Sequence, residues 1–344
     1  MLELNPDNFK DGKKLAIWMH ENPDPDAIGA ALGLAWIVKA KWGILSDVFY
    51  NGAISHPENK SLMNVLNLAF KTKEDFFTNH EEHYPTVAVV DGSPSRTGLS
   101  ENEQGLITIM IDHHRAKVTE ENFDYLLNKQ VGSSATLIYQ MIEELNLEMK
   151  AEDEVQATAL LMGIITDTNN LLSENSTEED NEAFAYFKKY ANLSQVKEIQ
   201  SYPIPSYFYD YQAIASDPDN KSEVNGALIT FLGLVNDQKQ DVLAYLSEAF
   251  LRKEGIDTTV VAAIVGTNIQ ASIRSSKVSL DVNEFAKKVF GADYAGGKRG
   301  AGAAKVPMGF FAPRDDFGEF KEDVNEITKN WVMSMIKKEI TKDS

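Results

Sequence analysis

Asp112-His113-His114 closes an apolar, β-branched run that begins at Ile107, and all three side chains can bind a metal ion or move protons. Three other places in the first half carry the same chemistry. His20, Asp24 and Asp26 fall within seven residues, in a loop stiffened by Pro23 and Pro25. Asp91 follows the apolar run 86–90, and Asp167 follows the run 161–166. Each acid alone has an ordinary reading, Asp26 as a helix cap and Asp91 as the opener of an Asx-turn. Acids at four strand-like tips, with three histidines among them, need a cation to be electrostatically tolerable. Mixed nitrogen and oxygen donors of this kind suit a two-metal centre of hard divalent ions.

The elements that must position these residues follow from the pattern of apolar residues. Runs at 15–18, 47–50, 86–90 and 107–111 read as buried strands of a mainly parallel sheet, with helices at 27–40, 57–70, 137–145, 151–163 and 176–190 on its two faces. The run 161–166 reads as a further strand-like tip, and 122–128 as irregular. Open α/β sheets bind ligands at the carboxyl ends of their strands, which is where the acids lie. The stretch Val131-Gly132-Ser133-Ser134-Ala135-Thr136 presents backbone N–H groups at a helix start, fit either for an anion or for plain capping.

At 344 residues two domains are expected. Pro203, Pro205 and the turn Ser216-Asp217-Pro218-Asp219-Asn220 mark the boundary region. The expected division is a first domain over 1–195, a helical linker over 196–222 and a smaller α/β domain over 223–344, with the active site in the cleft between the two. Strands at 226–232, 259–266 and 271–274 alternate with helices at 240–252, 283–290 and 324–340. In this half, Arg274-Ser275 and the Gly-rich loop 295–305, with Gly296, Gly297, Lys298 and Arg299, are the candidate phosphate grip: small residues let backbone approach a ligand, and the cations suit phosphate.

Lys and Arg total 33 against 52 Asp and Glu, a net charge of -19, which opposes binding of long DNA or RNA. The absence of cysteine excludes a thiolate zinc site and a Cys nucleophile. No apolar run reaches the roughly 18 residues of a membrane span, and the first residues lack a signal peptide's pattern, so a cytoplasmic protein without a membrane partner is expected.

Taken in order, His20-Glu21-Asn22-Pro23-Asp24-Pro25-Asp26-Ala27, Asp91, Asp112-His113-His114 and Gly163-Ile164-Ile165-Thr166-Asp167-Thr168 resemble the four motifs of DHH phosphoesterases. The chain is most similar to the RecJ-related, NrnA-like hydrolases of very short oligonucleotides, and its second half resembles the DHH-associated domain. That resemblance implies two divalent cations, usually manganese, with magnesium as the alternative. His20, Asp24 and Asp91 would hold one; Asp26, Asp91, His113 and Asp167 the other, with Asp91 between them. Asp112 would orient His113, and His114 would contact the scissile phosphate. The implied activity is hydrolysis of short oligonucleotides, dinucleotides or 3′-phosphoadenosine 5′-phosphate by two-metal hydroxide attack. A cyclic-dinucleotide phosphodiesterase, an exopolyphosphatase and a non-catalytic nucleotide-binding regulator are the alternatives, and a homodimer is compatible with all of them. The family's Gly-Gly-Gly-His loop has Lys298 in place of the His here, which bears on substrate choice.

Overall fold

The apolar runs of the first half become the strands of one parallel sheet. In the computed structural model, which describes residues 1–54, 56–115, 120–312 and 320–342, the chain divides into two compact units, Met1–Pro203 and Ile204–Ser344. The first unit runs β1 (Leu15–Trp18), α1 (Pro25–Trp42), β2 (Ser46–Tyr50), α2 (Pro57–Val65), β3 (Lys71–Thr72), α3 (Lys73–His83), β4 (Thr86–Val90), α4 (Glu101–Gln104) and β5 (Ile107–Asp112). It continues with β6 (Tyr125–Asn128), α5 (Ser134–Glu144), α6 (Glu154–Asp167), α7 (Glu178–Lys188) and α8 (Leu193–Gln200). The strand order is β3-β2-β1-β4-β5-β6, every neighbouring pair parallel. Winding reverses between β1 and β4. Such a switch point opens a crevice beyond the carboxyl ends of the two strands, and the loops leaving them carry His20, Asp24, Asp26 and Asp91.

Both faces of this sheet are covered, so its strands are apolar throughout rather than alternating. Leu15 and Ile17 of β1 pack with α1, α5 and α6, whereas Ala16 and Trp18 face an aromatic cluster with Phe49, Phe76 and Tyr84. Trp18 lies 5.6 Å from Phe49 and 5.3 Å from Phe76 between ring centroids. Helices α1 and α6 meet at Gly163. A Cβ there would lie 2.7 Å from Asp26 Oδ1 and 2.9 Å from Asp26 Cα. Only glycine lets α6 approach the start of α1 this closely.

Two expectations for this unit change. Residues 161–166 are the last turns of α6, not a strand. Their helical period is hidden because residues 157–165 are buried on every side of the helix. Residues 125–128, expected to be irregular, form the edge strand β6 against β5.

The second unit comprises α9 (Ser206–Ser216), β7 (Lys221–Val224), β8 (Ala227–Val235), α10 (Val242–Leu251), β9 (Thr258–Val265), β10 (Asn268–Ser275), α11 (Val282–Phe290), β11 (Ala295–Gly297), β12 (Ala301–Pro307) and α12 (Phe320–Lys342). Its sheet is mixed, in the order β11-β12-β10-β9-β8-β7, with β8 and β9 parallel and the other neighbours antiparallel. One face packs on α11 and α12, the other on α9 and α10. The Gly-rich segment read as a loop is instead a hairpin of β11 and β12 turning at residues 298–300. A Cβ on Gly297 would collide with the Ala301 carbonyl, so the glycine is what allows the two strands to close. Within 196–222, the end of α8 belongs to the first unit and α9 to the second. Among the described residues no helix is long and apolar enough to cross a membrane.

Asp180 ties the start of α5 to the start of α7. Its carboxylate, fully buried, accepts from Gly132 N at 2.8 Å, Thr136 Oγ1 at 2.5 Å, Thr177 N at 2.7 Å and Thr177 Oγ1 at 2.9 Å. Asp180→Ala strands these donors in the interior. A stability loss of about 3 kcal/mol is expected, read as a lower urea midpoint with an unchanged m-value.

Candidate metal centre

Each ligand-type residue of the first unit is set by a different local device. Asp24 is the N-cap of α1: its Oδ1 accepts from Asp26 N at 3.1 Å and Ala27 N at 3.0 Å, which leaves Oδ2 facing His20 Nε2 at 3.7 Å. The capping role expected of Asp26 therefore belongs to Asp24. Asp26, in the first turn and fully buried, turns its carboxylate to the start of α5. Ser134 N reaches Asp26 Oδ2 at 2.5 Å and Ala135 N reaches Oδ1 at 2.9 Å. The Gly-Ser helix start thus holds a carboxyl group, and that group is part of the chain itself.

Asp91 follows β4 in the left-handed region, at φ 54°, with its amide bonded to Ile111 O at 2.9 Å. Its two oxygens look to opposite sides. Oδ2 lies 3.5 Å from His20 Nε2, and Oδ1 lies 3.5 Å from His113 Nε2. Ser134 Oγ donates to Oδ1 at 2.9 Å. Asp167, at the C-terminal end of α6, places Oδ2 3.3 Å from His113 Nε2.

Backbone carbonyls fix the imidazoles. His20 Nδ1 is 2.8 Å from Glu21 O and His113 Nδ1 is 3.0 Å from Val131 O. A carbonyl only accepts, so each Nδ1 carries the hydrogen, and in the neutral ring Nε2 holds a lone pair. Asp112 was expected to orient His113. It bonds His114 instead, its Oδ1 accepting from His114 N at 3.1 Å and Nδ1 at 2.8 Å. The bond from His114 N back to Asp112 Oδ1, two residues earlier, is an Asx-turn, and it brings the His114 ring to the same carboxylate oxygen. That geometry gives Asp112 its true partner.

Three donor groups emerge: His20, Asp24 and Asp91; Asp26, His113 and Asp167; and Asp91, His113 and His114. Within each, the ligand atoms lie within 4.8 Å of one another. His20 Nε2, His113 Nε2 and Asp91 Oδ2 are buried with no hydrogen-bond partner. Separations of 3.3–3.9 Å among these atoms are long for hydrogen bonds. They approach the spacing of roughly 3 Å expected between neighbouring ligands about 2.1 Å from one cation. The donor set, the unpartnered atoms and the spacing all fit divalent cations.

Electrostatics agrees. Burial by itself would lower His20, but the hydrogen bonds and charges of Asp24 and Asp91 outweigh it and push the imidazole up to about 10. Burial likewise opposes protonation of His113, and the Asp167, Asp26 and Asp91 carboxylates push it up to about 10. Asp26 is raised well above the carboxylate range by burial and by Asp91 and Asp167; Asp167 is raised by burial and by Asp24 and Asp91. For Asp24, burial acts upward, yet the hydrogen bond and charge of His20 bring it down. Without a cation, His20, His113, Asp26 and Asp167 therefore hold protons more tightly than they would in water.

Arg96 and Arg115 follow two of these strand tips. Arg96 forms no ion pair among the described residues, and Arg115 donates from Nε to Gln130 Oε1 at 3.0 Å. In the second unit, Arg274 is the next-to-last residue of β10, beside the hairpin turn and opposite Ala301. Its guanidinium is engaged by Glu248 at 3.1 Å and by Ser272 Oγ at 3.2 Å. Ser275 N donates to Gly300 O at 2.9 Å, Arg299 Nη2 to Val278 O at 3.0 Å, and Gly297 N to Asn283 Oδ1 at 3.1 Å. Gly296 pairs with Ala303, and the Lys298 side chain is exposed on the turn. Arg274, Ser275, Gly296, Gly297, Lys298 and Arg299 thus gather at one end of the second sheet. Ser134 and the partner of Asp26 were not foreseen, although the Gly-Ser helix start was the signal for them.

Comparison with known proteins follows the same division. Residues 14–164 match the DHH family, N-terminal domain. The first unit carries a DHH domain. An uncharacterized protein of Methanocaldococcus jannaschii is 32% identical over 94% of this chain and 64% of its own length. A protein of Streptococcus agalactiae named as a probable manganese-dependent inorganic pyrophosphatase is 26% identical over 48% of this chain and 52% of its own. The chain thus spans between about half and two thirds of the length of these relatives. The fold of the crystal structure of an exopolyphosphatase-related protein from Bacteroides fragilis is similar over 95% of this chain and 96% of that one, at a TM-score of 0.68 and 15% identity.

The raised groups give the DHH domain a pH signature. His20 and His113 hold protons more tightly in the folded chain, so their stabilisation is complete below the ordinary value of 6.5 and is lost as pH rises toward about 10. A cation replaces those protons. Melting temperature in chelator should fall across that window, and the gap to the cation-loaded protein should widen between pH 6.5 and 9. A gap that stays constant with pH would contradict the assignment.

Proposed function

We propose that this chain is a metal-dependent phosphoesterase that hydrolyses very short oligonucleotides, dinucleotides or 3′-phosphoadenosine 5′-phosphate. The observation that carries the reading is the convergence of His20 Nε2, Asp91 Oδ2 and His113 Nε2, buried and unpartnered, inside one ring of carboxylates. His20, Asp24 and Asp91 would hold one divalent cation; Asp26, Asp91, His113 and Asp167 a second. Manganese is favoured by the name of the streptococcal relative, with magnesium as the alternative. Such a pair supplies Lewis acidity to a phosphoryl oxygen and makes water acidic enough to be a nucleophile near neutral pH.

The remaining work falls to the chain. Asp112 holds the His114 ring at Nδ1, which leaves Nε2 as the atom that would meet a phosphoryl oxygen of the scissile group. Asp91 keeps its two oxygens apart so that both sides of the centre share it. In the second unit, Arg274, Lys298 and Arg299, with Ser275 and the backbone of Gly296 and Gly297, form the end that takes a further phosphate. Few cations are gathered there and the chain carries -19 overall, so short substrates are preferred over long strands.

A second reading is hydrolysis of inorganic pyrophosphate or a short polyphosphate. The named relative favours it, and so does Lys298, a compact charge that suits a bare phosphate better than a base. Turnover of pApA, a five-nucleotide RNA, 3′-phosphoadenosine 5′-phosphate and pyrophosphate with Mn²⁺ separates the two. The nucleotide substrates should be cleaved, and Asp91→Ala should lower kcat by about 1000-fold or more while leaving nucleotide affinity measurable. Cleavage of pyrophosphate alone selects the second reading, and no cleavage of any of the four sinks both.

A further inference from the structure

We infer that Ser134 is the positioning residue that joins the two halves of the metal centre, through contacts to two different carboxylates. This rests on the metal-centre reading given above. The hydroxyl donates to Asp91 Oδ1 at 2.9 Å, and the amide of the same residue donates to Asp26 Oδ2 at 2.5 Å. Ala135 N completes the hold on Asp26 at 2.9 Å. Ser134 is fully buried, so no water competes for these bonds.

The hydroxyl decides how Asp91 presents itself. A carboxylate can rotate about its last bond, and this one stands in a ring of imidazoles that would accept several orientations. With Oδ1 tied to Ser134 on the side of His113, Oδ2 is left on the side of His20, buried and without a partner. One oxygen is then offered to each half of the centre. Asp26 belongs to the half with His113 and Asp167, and the Ser134 amide fixes it from the same helix start. A single residue therefore registers Asp91 and Asp26 against each other.

The position of Ser134 is itself well determined. Ser133, the N-cap of α5, accepts from Thr136 N at 3.2 Å, and Gly132 N is held by Asp180 at 2.8 Å. The helix start cannot drift without breaking these bonds. Removing the Ser134 hydroxyl leaves the backbone contacts to Asp26 in place, so the substitution acts on Asp91 alone. Loss of such an outer contact to a ligand lowers metal affinity by about 10–100-fold.

The expected consequence is asymmetric. In Ser134→Ala the first Mn²⁺ binds nearly as in wild type, and the second binds about 10–100-fold more weakly because Asp91 no longer presents an oxygen to each half. Two measurements on the full chain read this: calorimetric titration with Mn²⁺, and the spin-coupled two-manganese signal by electron paramagnetic resonance. Ser134→Cys fills the same space with a far weaker donor and a sulfur that is a poor ligand for Mn²⁺. It should behave as Ser134→Ala does, and it serves if the alanine variant does not fold. A merely structural serine would lower the melting temperature in chelator and leave both Mn²⁺ affinities unchanged. That result, or a full coupled signal in the cysteine variant, overturns the inference. Wild-type protein that binds no Mn²⁺ would instead sink the metal-centre reading itself.

Discussion

The structure of the first unit is governed by one electrostatic constraint: carboxylates of Asp24, Asp26, Asp91 and Asp167 share a largely buried space. Like charges this close cannot all ionise without compensation. The chain supplies three kinds. Backbone amides at the start of α5 take the Asp26 carboxylate, amides at the start of α1 take Asp24, and two imidazoles stand between the acids. Helix N-termini add their positive dipole ends to the same place. These devices hold the acids in register but do not neutralise them, because Asp26 and Asp167 remain raised and both imidazoles hold protons strongly. A divalent cation is the missing charge.

The sheet topology explains why so many ligands can meet. Reversal of winding between β1 and β4 leaves a crevice that no crossover helix covers. The segments after β1, β4 and β5 bring His20, Asp91 and His113 together, and the start of α5 and the end of α6 add Ser134 and Asp167. Helix α6 can come near enough to bring Asp167 only because Gly163 leaves room for the start of α1. Packing and chemistry are therefore one problem here. A methyl group at 163 would push against Asp26 itself.

Much of this was legible in the sequence. Continuous apolar runs ending in acids announced parallel strands and a site at their tips, and four ordered motifs named the family that the DHH domain match then bore out. The failures have physical causes. Residues 161–166 resembled a strand because a helix buried on all sides has no polar face to reveal its period. The tie from Asp112 to His114 is made by an Asx-turn just beyond the strand, and the contact of Ser134 to Asp91 joins residues 43 positions apart. The Gly-rich segment 295–305 advertised close backbone approach, and the structure shows that approach between its own two strands. Local pattern reveals what an element is; which side chains meet depends on how elements pack.

Asp91 shows how far chemistry outweighs local preference at this site. Its left-handed backbone is a conformation that glycine adopts freely and that costs an ordinary residue about 1 kcal/mol or more. A glycine there would relax the turn and remove the one carboxylate common to both sides of the centre. The turn is needed because β4 must stop at Val90 while the amide of Asp91 still pairs with Ile111 O, so the side chain swings off the strand axis into the crevice. An Asp in a standard extended conformation would continue the alternation of β4 and point into the packed face of the sheet. The strain is thus the geometric means by which a strand-end acid faces two imidazoles at once, and Ser134 is placed to hold it there.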